Sequence, residues 1–151
     1  VLQKMGALLE IDPVKKSLQV RRTPVMQGCK IDVNDFIDAV PLLAVIGCYA
    51  KGQTVLYNAQ NARYKESDRL KTITCELRKM GADIVENADG LVIRQAVLQG
   101  ANNLTSHQDH RIAMSLFVAA LAAKGPSRLQ DVFCIEKTYP GFVDEYRADR
   151  L

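Results

Sequence analysis

Apolar side chains fall at Leu70, Ile73, Leu77 and Met80. That 3-4-3 spacing places them on one stripe of an α-helix, predicted over residues 67–80. Glu66 and Asp68 stand at its positive end, Arg78 and Lys79 at its negative end, and Gly81 stops it. Two other stretches, 38–50 and 109–124, are almost wholly apolar and predict helices buried on several sides. Asp38 suits the N-cap of the first, and Pro41 falls in its first turn, where a missing N–H costs little. Gly52 supplies the left-handed residue that ends it. Short apolar runs predict strands at 29–33 and 54–57, with a loop over 58–65. A hairpin is expected over 82–94, turning at Asn87-Ala88-Asp89-Gly90. Residues 25–98 therefore read β-α-β-α-β-β.

The pattern repeats. Lys4-Met5-Gly6-Ala7 returns as Lys79-Met80-Gly81-Ala82, each followed by two short strands. Ala50-Lys51-Gly52 returns as Ala123-Lys124-Gly125, each closing an apolar helix and opening a strand. An offset near 75 residues is too long for a solenoid unit and points to duplicated α/β subdomains. The expected fold class is α/β (α+β), built from repeated β-α-β-α-β-β subdomains. Residues 1–24 supply the tail of one unit, 25–98 a complete unit and 99–151 a shortened last one. The last unit has a strand at 128–132 and a helix after Pro140. A front-truncated first unit leaves strand edges and helix faces uncovered, so the chain is expected to be a fragment of a larger protein.

Composition narrows the class without naming a function. The 151 residues are 48% hydrophobic and 25% charged, an ordinary globular mix that excludes disorder, collagen and coiled coil. Lys and Arg number 20 against 17 Asp and Glu, and no run of five or more cations occurs, which argues against nucleic acid as a partner. The longest apolar runs are about 12 residues, short of the roughly 20 that span a bilayer, so no membrane association is expected. No signal peptide is legible at the start. Cys29, Cys48, Cys75 and Cys134 form no C-x-x-C pair and read as buried free thiols of a cytoplasmic protein.

Candidate chemistry gathers where the repeats join. Residues 61–69 (Asn-Ala-Arg-Tyr-Lys-Glu-Ser-Asp-Arg), Asp109-His110-Arg111 and Glu136-Lys137-Thr138-Tyr139-Pro140 each put a cation beside a predicted helix start. Helix N-termini carry unpaired N–H donors and partial positive charge, and with Arg69, Arg111 and Lys137 they would bind a small polyanion. Plainer roles compete: Asp38 and His110 as caps, Glu66 and Asp68 as dipole partners, Lys65 as solvated surface. His107 and His110 lie three apart with no third ligand evident, so no metal is expected. An offset of 73 residues, Ala50 to Ala123, lays Asp38 over Arg111 and Tyr64 over Lys137. Pseudo-symmetric units would bring these points to one end, where carboxylates beside cations could bind an anion and move a proton.

Residues 61–70, Glu76-Leu77-Arg78-Lys79-Met80-Gly81-Ala82, Asp109-His110-Arg111-Ile112-Ala113-Met114 and Lys137-Thr138-Tyr139-Pro140 together resemble the 5-enolpyruvylshikimate-3-phosphate synthase family, also called 3-phosphoshikimate 1-carboxyvinyltransferases. The resemblance runs in order along essentially the whole chain and implies most of a C-terminal domain. It implies two domains of three β-α-β-α-β-β units each, an inside-out α/β barrel with helix N-termini facing the cleft between them. The implied reaction moves the enolpyruvyl group of phosphoenolpyruvate to the 5-hydroxyl of shikimate 3-phosphate and releases phosphate, with no cofactor and no metal. Glyphosate mimics phosphoenolpyruvate in this family.

The implied roles are these. Asp38 contacts the accepting hydroxyl and can take its proton, while Asn61 and Lys65 help hold shikimate 3-phosphate. Glu66 exchanges a proton with the methylene carbon of phosphoenolpyruvate, and His110 lies beside that path. Arg69 and Arg111 grip the phosphoenolpyruvate carboxylate, and Lys137 helps bind that substrate and its phosphate. The family's substrate groups from the N-terminal domain have no counterpart in these residues, so this polypeptide alone is expected to fold but not to turn over. The sibling enzyme that uses UDP-N-acetylglucosamine shares the fold but lacks the Lys-Glu-Ser-Asp-Arg and Asp-His-Arg combination. A non-catalytic anion-binding repeat module is the reading from a different class.

Overall fold

The structure, a computed structural model, describes residues 1–146. An antiparallel hairpin, β1 (Leu8–Asp12) and β2 (Ser17–Arg21), opens it. The complete unit follows: β3 (Lys30–Asp32), α1 (Val40–Tyr49), β4 (Gln53–Tyr57), α2 (Arg69–Lys79), β5 (Asp83–Asn87) and β6 (Gly90–Arg94). Its four strands form one sheet in the order β3-β4-β6-β5, parallel between β3 and β4 and antiparallel elsewhere. The last set is shorter: β7 (Leu104–Thr105), α3 (His110–Ala122) and β8 (Leu129–Gln130), with β7 and β8 parallel. The β-α-β-α-β-β order read from the sequence is the order observed.

The apolar stripe of α2 is buried throughout, at Leu70, Ile73, Leu77 and Met80. Each such side chain contributes about 1.5–3 kcal/mol by leaving water. The stripe joins buried residues of α1, α3 and the sheet in one core. Pro41 occupies the first turn of α1, as its missing N–H allows. A smaller cluster of Ala113, Cys134, Ile135 and Phe142 secures the end of the described chain. All four cysteines are free thiols, but only Cys48 and Cys134 are buried: Cys29 is half-buried, and Cys75 is exposed because it lies off the apolar stripe of α2. Burial pushes the Cys48 thiol up to about 12.

The repeat extends to individual hydrogen bonds. Lys51 N–H donates to Met26 O at 2.8 Å, and Gly28 N–H donates to Lys51 O at 2.8 Å. In the last unit Lys124 N–H donates to Leu98 O at 2.9 Å, and Gly100 N–H to Lys124 O at 2.8 Å. Both Lys-Met-Gly-Ala turns dock alike: Gln27 N–H donates to Met5 O and Gln99 N–H to Met80 O, each at 2.8 Å. A Cβ at Gly28 would run into Gln53 O, and one at Gly100 into Pro126 O, so both crossings require glycine.

Several boundaries differ from expectation; the strand expected at 128–132 is confined to Leu129–Gln130, because a 3-10 turn begins at Val132. Residues 34–39 form a 3-10 turn before α1, so the N-cap position belongs to Ala39 and no side chain caps it. Helix α2 starts at Arg69 with Asp68 as N-cap, leaving Glu66 outside it. Among the described residues after Pro140 the short 3-10 turn Asp144–Tyr146 is the only helical element, and the remaining positions of the expected helix lie outside those residues.

Candidate functional site

Three helix N-termini are drawn together by one guanidinium. Arg69, the first residue of α2, is 1% exposed and bridges the approaches to all three helices. Its Nε donates to Asp109 Oδ2 at 2.7 Å, its Nη1 to Asp38 Oδ1 at 2.6 Å and its Nη2 to Glu66 Oε2 at 2.6 Å. Asp109 is fully buried and is the N-cap of α3, accepting from Arg111 N–H at 2.9 Å and from Ser67 Oγ at 3.0 Å. One carboxylate thus caps α3 and anchors α2.

Around this buried pair stand the half-exposed Asp38, Glu66, Lys65 and Arg111 and the buried His110. Asp38 Oδ2 meets Arg111 Nη2 at 3.1 Å, and Lys65 Nζ lies 3.7 Å from Asp38 Oδ1. His110 Nδ1 is 3.8 Å from Glu66 Oε1. Asp38 and Arg111, equivalent under the 73-residue offset, therefore touch each other across the two units. Asp38 is not a helix cap. Its carboxylate sits among three cations, and charge-assisted bonds to them outweigh one backbone N–H.

The cluster holds its own charges in a definite state. Burial raises the cost of ionising Asp38, but the Arg69 hydrogen bond and the charges of Arg111 and Lys65 hold its carboxyl below the usual range. Asp109 is likewise opposed by burial yet held low, by Arg69, the Arg111 N–H and Ser67. Burial works against the Arg69 charge, and Asp109, Glu66 and Asp38 more than offset it, so its affinity for the proton rises. Lys65, Arg69 and Arg111 face Asp38, Glu66 and Asp109, so the cations and carboxylates of the cluster are formally balanced, three against three.

The local sequence explains how these groups are placed. Asp68 caps α2 by accepting from Lys71 N–H at 3.1 Å. Arg63 grips Asp68 at 2.9 Å and Glu86 at 2.7 Å, and donates to the carbonyls of Asn87 and Ala88 at the β5–β6 turn. The 61–69 segment is thereby tied to the sheet on one side and to α2 on the other.

Two predicted site residues lie outside the cluster. Asn61 lines a separate cavity of about 170 Å³ with Asn58, Gln60 and Asp89. Lys137 is exposed at the end of the 3-10 turn Val132–Lys137, matching Tyr64 at the end of Gln60–Tyr64, and takes no part in the cluster's ion pairs. Near it, Tyr139 lines an apolar cleft of about 420 Å³ that ends on Asp38 and Arg111. The two histidines separate: His110 faces Glu66, whereas His107 Nε2 meets Glu76 Oε1 at 2.8 Å. Among the described residues no group of His, Cys, Asp and Glu is arranged to hold a metal ion. No described helix is long and apolar enough to cross a membrane.

Asp109 as the partner of Arg69 and Glu76 as a buried carboxylate were not read as site features. Asp109 does carry a signal, an N-cap residue between a polar loop and an apolar helix. Glu76 carries only its place four positions from Met80, on the buried side of α2.

Known proteins share this architecture. A profile of the EPSP synthase (3-phosphoshikimate 1-carboxyvinyltransferase) family matches residues 1–146. The 3-phosphoshikimate 1-carboxyvinyltransferase of Chlamydia abortus is 44% identical over 143 residues, covering 95% of this chain and 31% of that protein. That of Methanococcus vannielii is 37% identical over 148 residues, 98% of this chain and 34% of that protein. The chain thus spans about a third of the length of these curated relatives. A solved EPSP synthase from Acinetobacter baumannii superposes with a TM-score of 0.85 at 29% identity, covering 95% of this chain and 36% of that one. The enolpyruvyl transferase NikO of Streptomyces tendae superposes at 0.79 over 95% of this chain and 32% of that one, and at 22% identity it speaks for the fold alone. With the profile spanning nearly every residue, and the repeated units and gathered helix starts in place, this chain belongs to the EPSP synthase family.

Proposed function

We propose that the protein containing this chain transfers the enolpyruvyl group of phosphoenolpyruvate to the 5-hydroxyl of shikimate 3-phosphate, releasing phosphate. The observation that carries this is the contact chain His110–Glu66–Arg69–Asp38–Arg111 at the joined helix starts. It sets two half-exposed carboxylates and an imidazole against cations, which addition–elimination on an anionic enol ester requires. In this reading Arg69 and Arg111 take the phosphoenolpyruvate carboxylate, with Lys137 at its phosphate. Asn61, Lys65 and Asp38 hold shikimate 3-phosphate. Glu66 moves the proton at the methylene carbon, with His110 beside it. Asp38, held ionised, accepts the hydroxyl's hydrogen bond and orients it; its low proton affinity makes it a weak base until substrate charge displaces its cations.

The balanced charge of the cluster bears on the fragment itself. Substrates with several negative charges need more cations than Lys137 adds, and an N-terminal domain of the same protein is the proposed source. Residues 1–24 are then the tail of one unit of the C-terminal domain, 25–98 a complete unit and 99–151 the last one. A cytoplasmic location fits the free thiols. Phosphate release from phosphoenolpyruvate and shikimate 3-phosphate tests the reading. The full-length protein should turn over, the 151-residue chain should not, and Glu66→Gln should lower kcat by about 100-fold or more. Full activity of that variant, or turnover by this chain alone near the full-length rate, contradicts it.

A further inference from the structure

We propose that Glu76 is a positioning residue: through His107 it holds the turn at residues 105–108, and so sets where Asp109, His110 and Arg111 stand. The inference rests on the site reading above for its kinetic test, but not for its geometry.

Glu76 lies on α2, about two turns beyond Arg69, with its side chain fully buried. Both its oxygens accept from Lys79 Nζ at 2.8 Å, Oε1 also meets His107 Nε2 at 2.8 Å, and Oε2 accepts Thr105 N–H at 3.1 Å. Lys79 additionally donates to Asn103 O at 3.0 Å. One carboxylate thus fastens the whole approach to α3 onto α2. A buried ionic group adds little net stability compared with a well-packed apolar side chain, so its use here calls for another reason.

That reason lies in the turn. His107 and Gln108 have φ of 52° and 61°, consecutive left-handed residues that are not glycine. Such conformations cost on the order of 1–3 kcal/mol each and persist only where surrounding contacts over-determine them. Here the contacts are Glu76 on one side and, on the other, Ser106 Oγ donating to Asp131 O at 2.8 Å and accepting Gln108 N–H at 3.1 Å. The next residue is Asp109, which caps α3 and binds Arg69. Relaxation of the turn would move the start of α3, and with it Arg111 and His110, relative to Arg69. Displacements of about 1 Å at such groups can cost about 100-fold in rate.

The test compares Glu76→Leu and Glu76→Gln in the full-length protein. Leucine fills the space without an acceptor, while Lys79 and His107, both partly exposed, can turn to water. Glutamine can keep an oxygen for the Thr105 N–H and offer its amide N–H to His107 Nε2, which accepts in the tautomer protonated at Nδ1. Glu76→Leu should lose about 10- to 100-fold in kcat/KM for phosphoenolpyruvate, with the KM for shikimate 3-phosphate changed less than about threefold. Glu76→Gln should recover most of the loss. The proposal is overturned if Glu76→Leu stays within about twofold of wild type, or if the losses of both variants merely track a fall in melting temperature. Should the wild-type protein transfer no enolpyruvyl group, the site reading fails, and the backbone amide resonances of Arg111 and Ile112 still decide the positioning. They shift in Glu76→Leu if Asp109 moves and stay in place if it does not.

Discussion

Arg69→Met breaks the most buried ion pair of the site, and its cost can be worked from the structure. The Asp109 side chain is 0% exposed and that of Arg69 1%, so neither can reach water when the other is lost. Removing one partner of such a pair costs about 3–5 kcal/mol, because the remaining charge stays buried. Asp109 keeps Ser67 Oγ at 3.0 Å and Arg111 N–H at 2.9 Å, which places the cost near the lower end, about 3 kcal/mol. Asp38 and Glu66 are half exposed and turn to solvent, adding little. Urea denaturation of the 151-residue chain, followed by far-UV circular dichroism at pH 7, reads the effect. With a slope of about 2 kcal/mol/M, the midpoint should fall by about 1.5 M. Adding Asp109→Asn removes the stranded charge while leaving an acceptor for the α3 cap, and the double variant should regain about 2 kcal/mol. The gap between wild type and Arg69→Met should also narrow below about pH 4, where Asp109 of the variant takes up a proton first. A single variant within 1 kcal/mol of wild type, or a double variant no more stable than the single, would refute the argument.

Two further outcomes follow from the fold. Gly28→Ala and Gly100→Ala each drive a Cβ into a neighbouring carbonyl oxygen, so each should cost about 3 kcal/mol, a melting temperature lower by roughly 6–12 °C; calorimetry showing less than about 2 °C would mean the crossing strands can part. Asp38, Asp109 and Glu76 all have carboxyl groups held below their ordinary values against the opposing effect of burial. The stability they contribute is fully present above about pH 4.5 and is withdrawn as pH falls through the lower folded values; denaturation midpoints measured from pH 6 to pH 2 should show this loss, and Asp109→Asn should flatten it.

Local rules were enough for the elements. The Leu70, Ile73, Leu77 and Met80 stripe, the hairpin turning before Gly90, and the doubled Lys-Met-Gly-Ala and Ala-Lys-Gly motifs each depend on residues close in the chain, whose spacing dictates which face is buried. The repeat went further, because equal units impose equal contacts: the 73-residue offset anticipated that Asp38 and Arg111 share one end of the molecule. It could not say that they touch at 3.1 Å.

Side-chain roles were legible only where no distant charge competed. Asp38 reads as an N-cap from its neighbours, yet its carboxylate goes to Arg69, 31 residues away. Asp109 reads as a cap and is one, and the same group also anchors Arg69 from 40 residues away. Sequence alone thus determined the units, their order and the family, because backbone propensity and apolar periodicity act over a few residues. Tertiary structure decided which carboxylate meets which cation, because attraction between charges depends on distance through space and on the water excluded around them, and neither is a function of position along the chain.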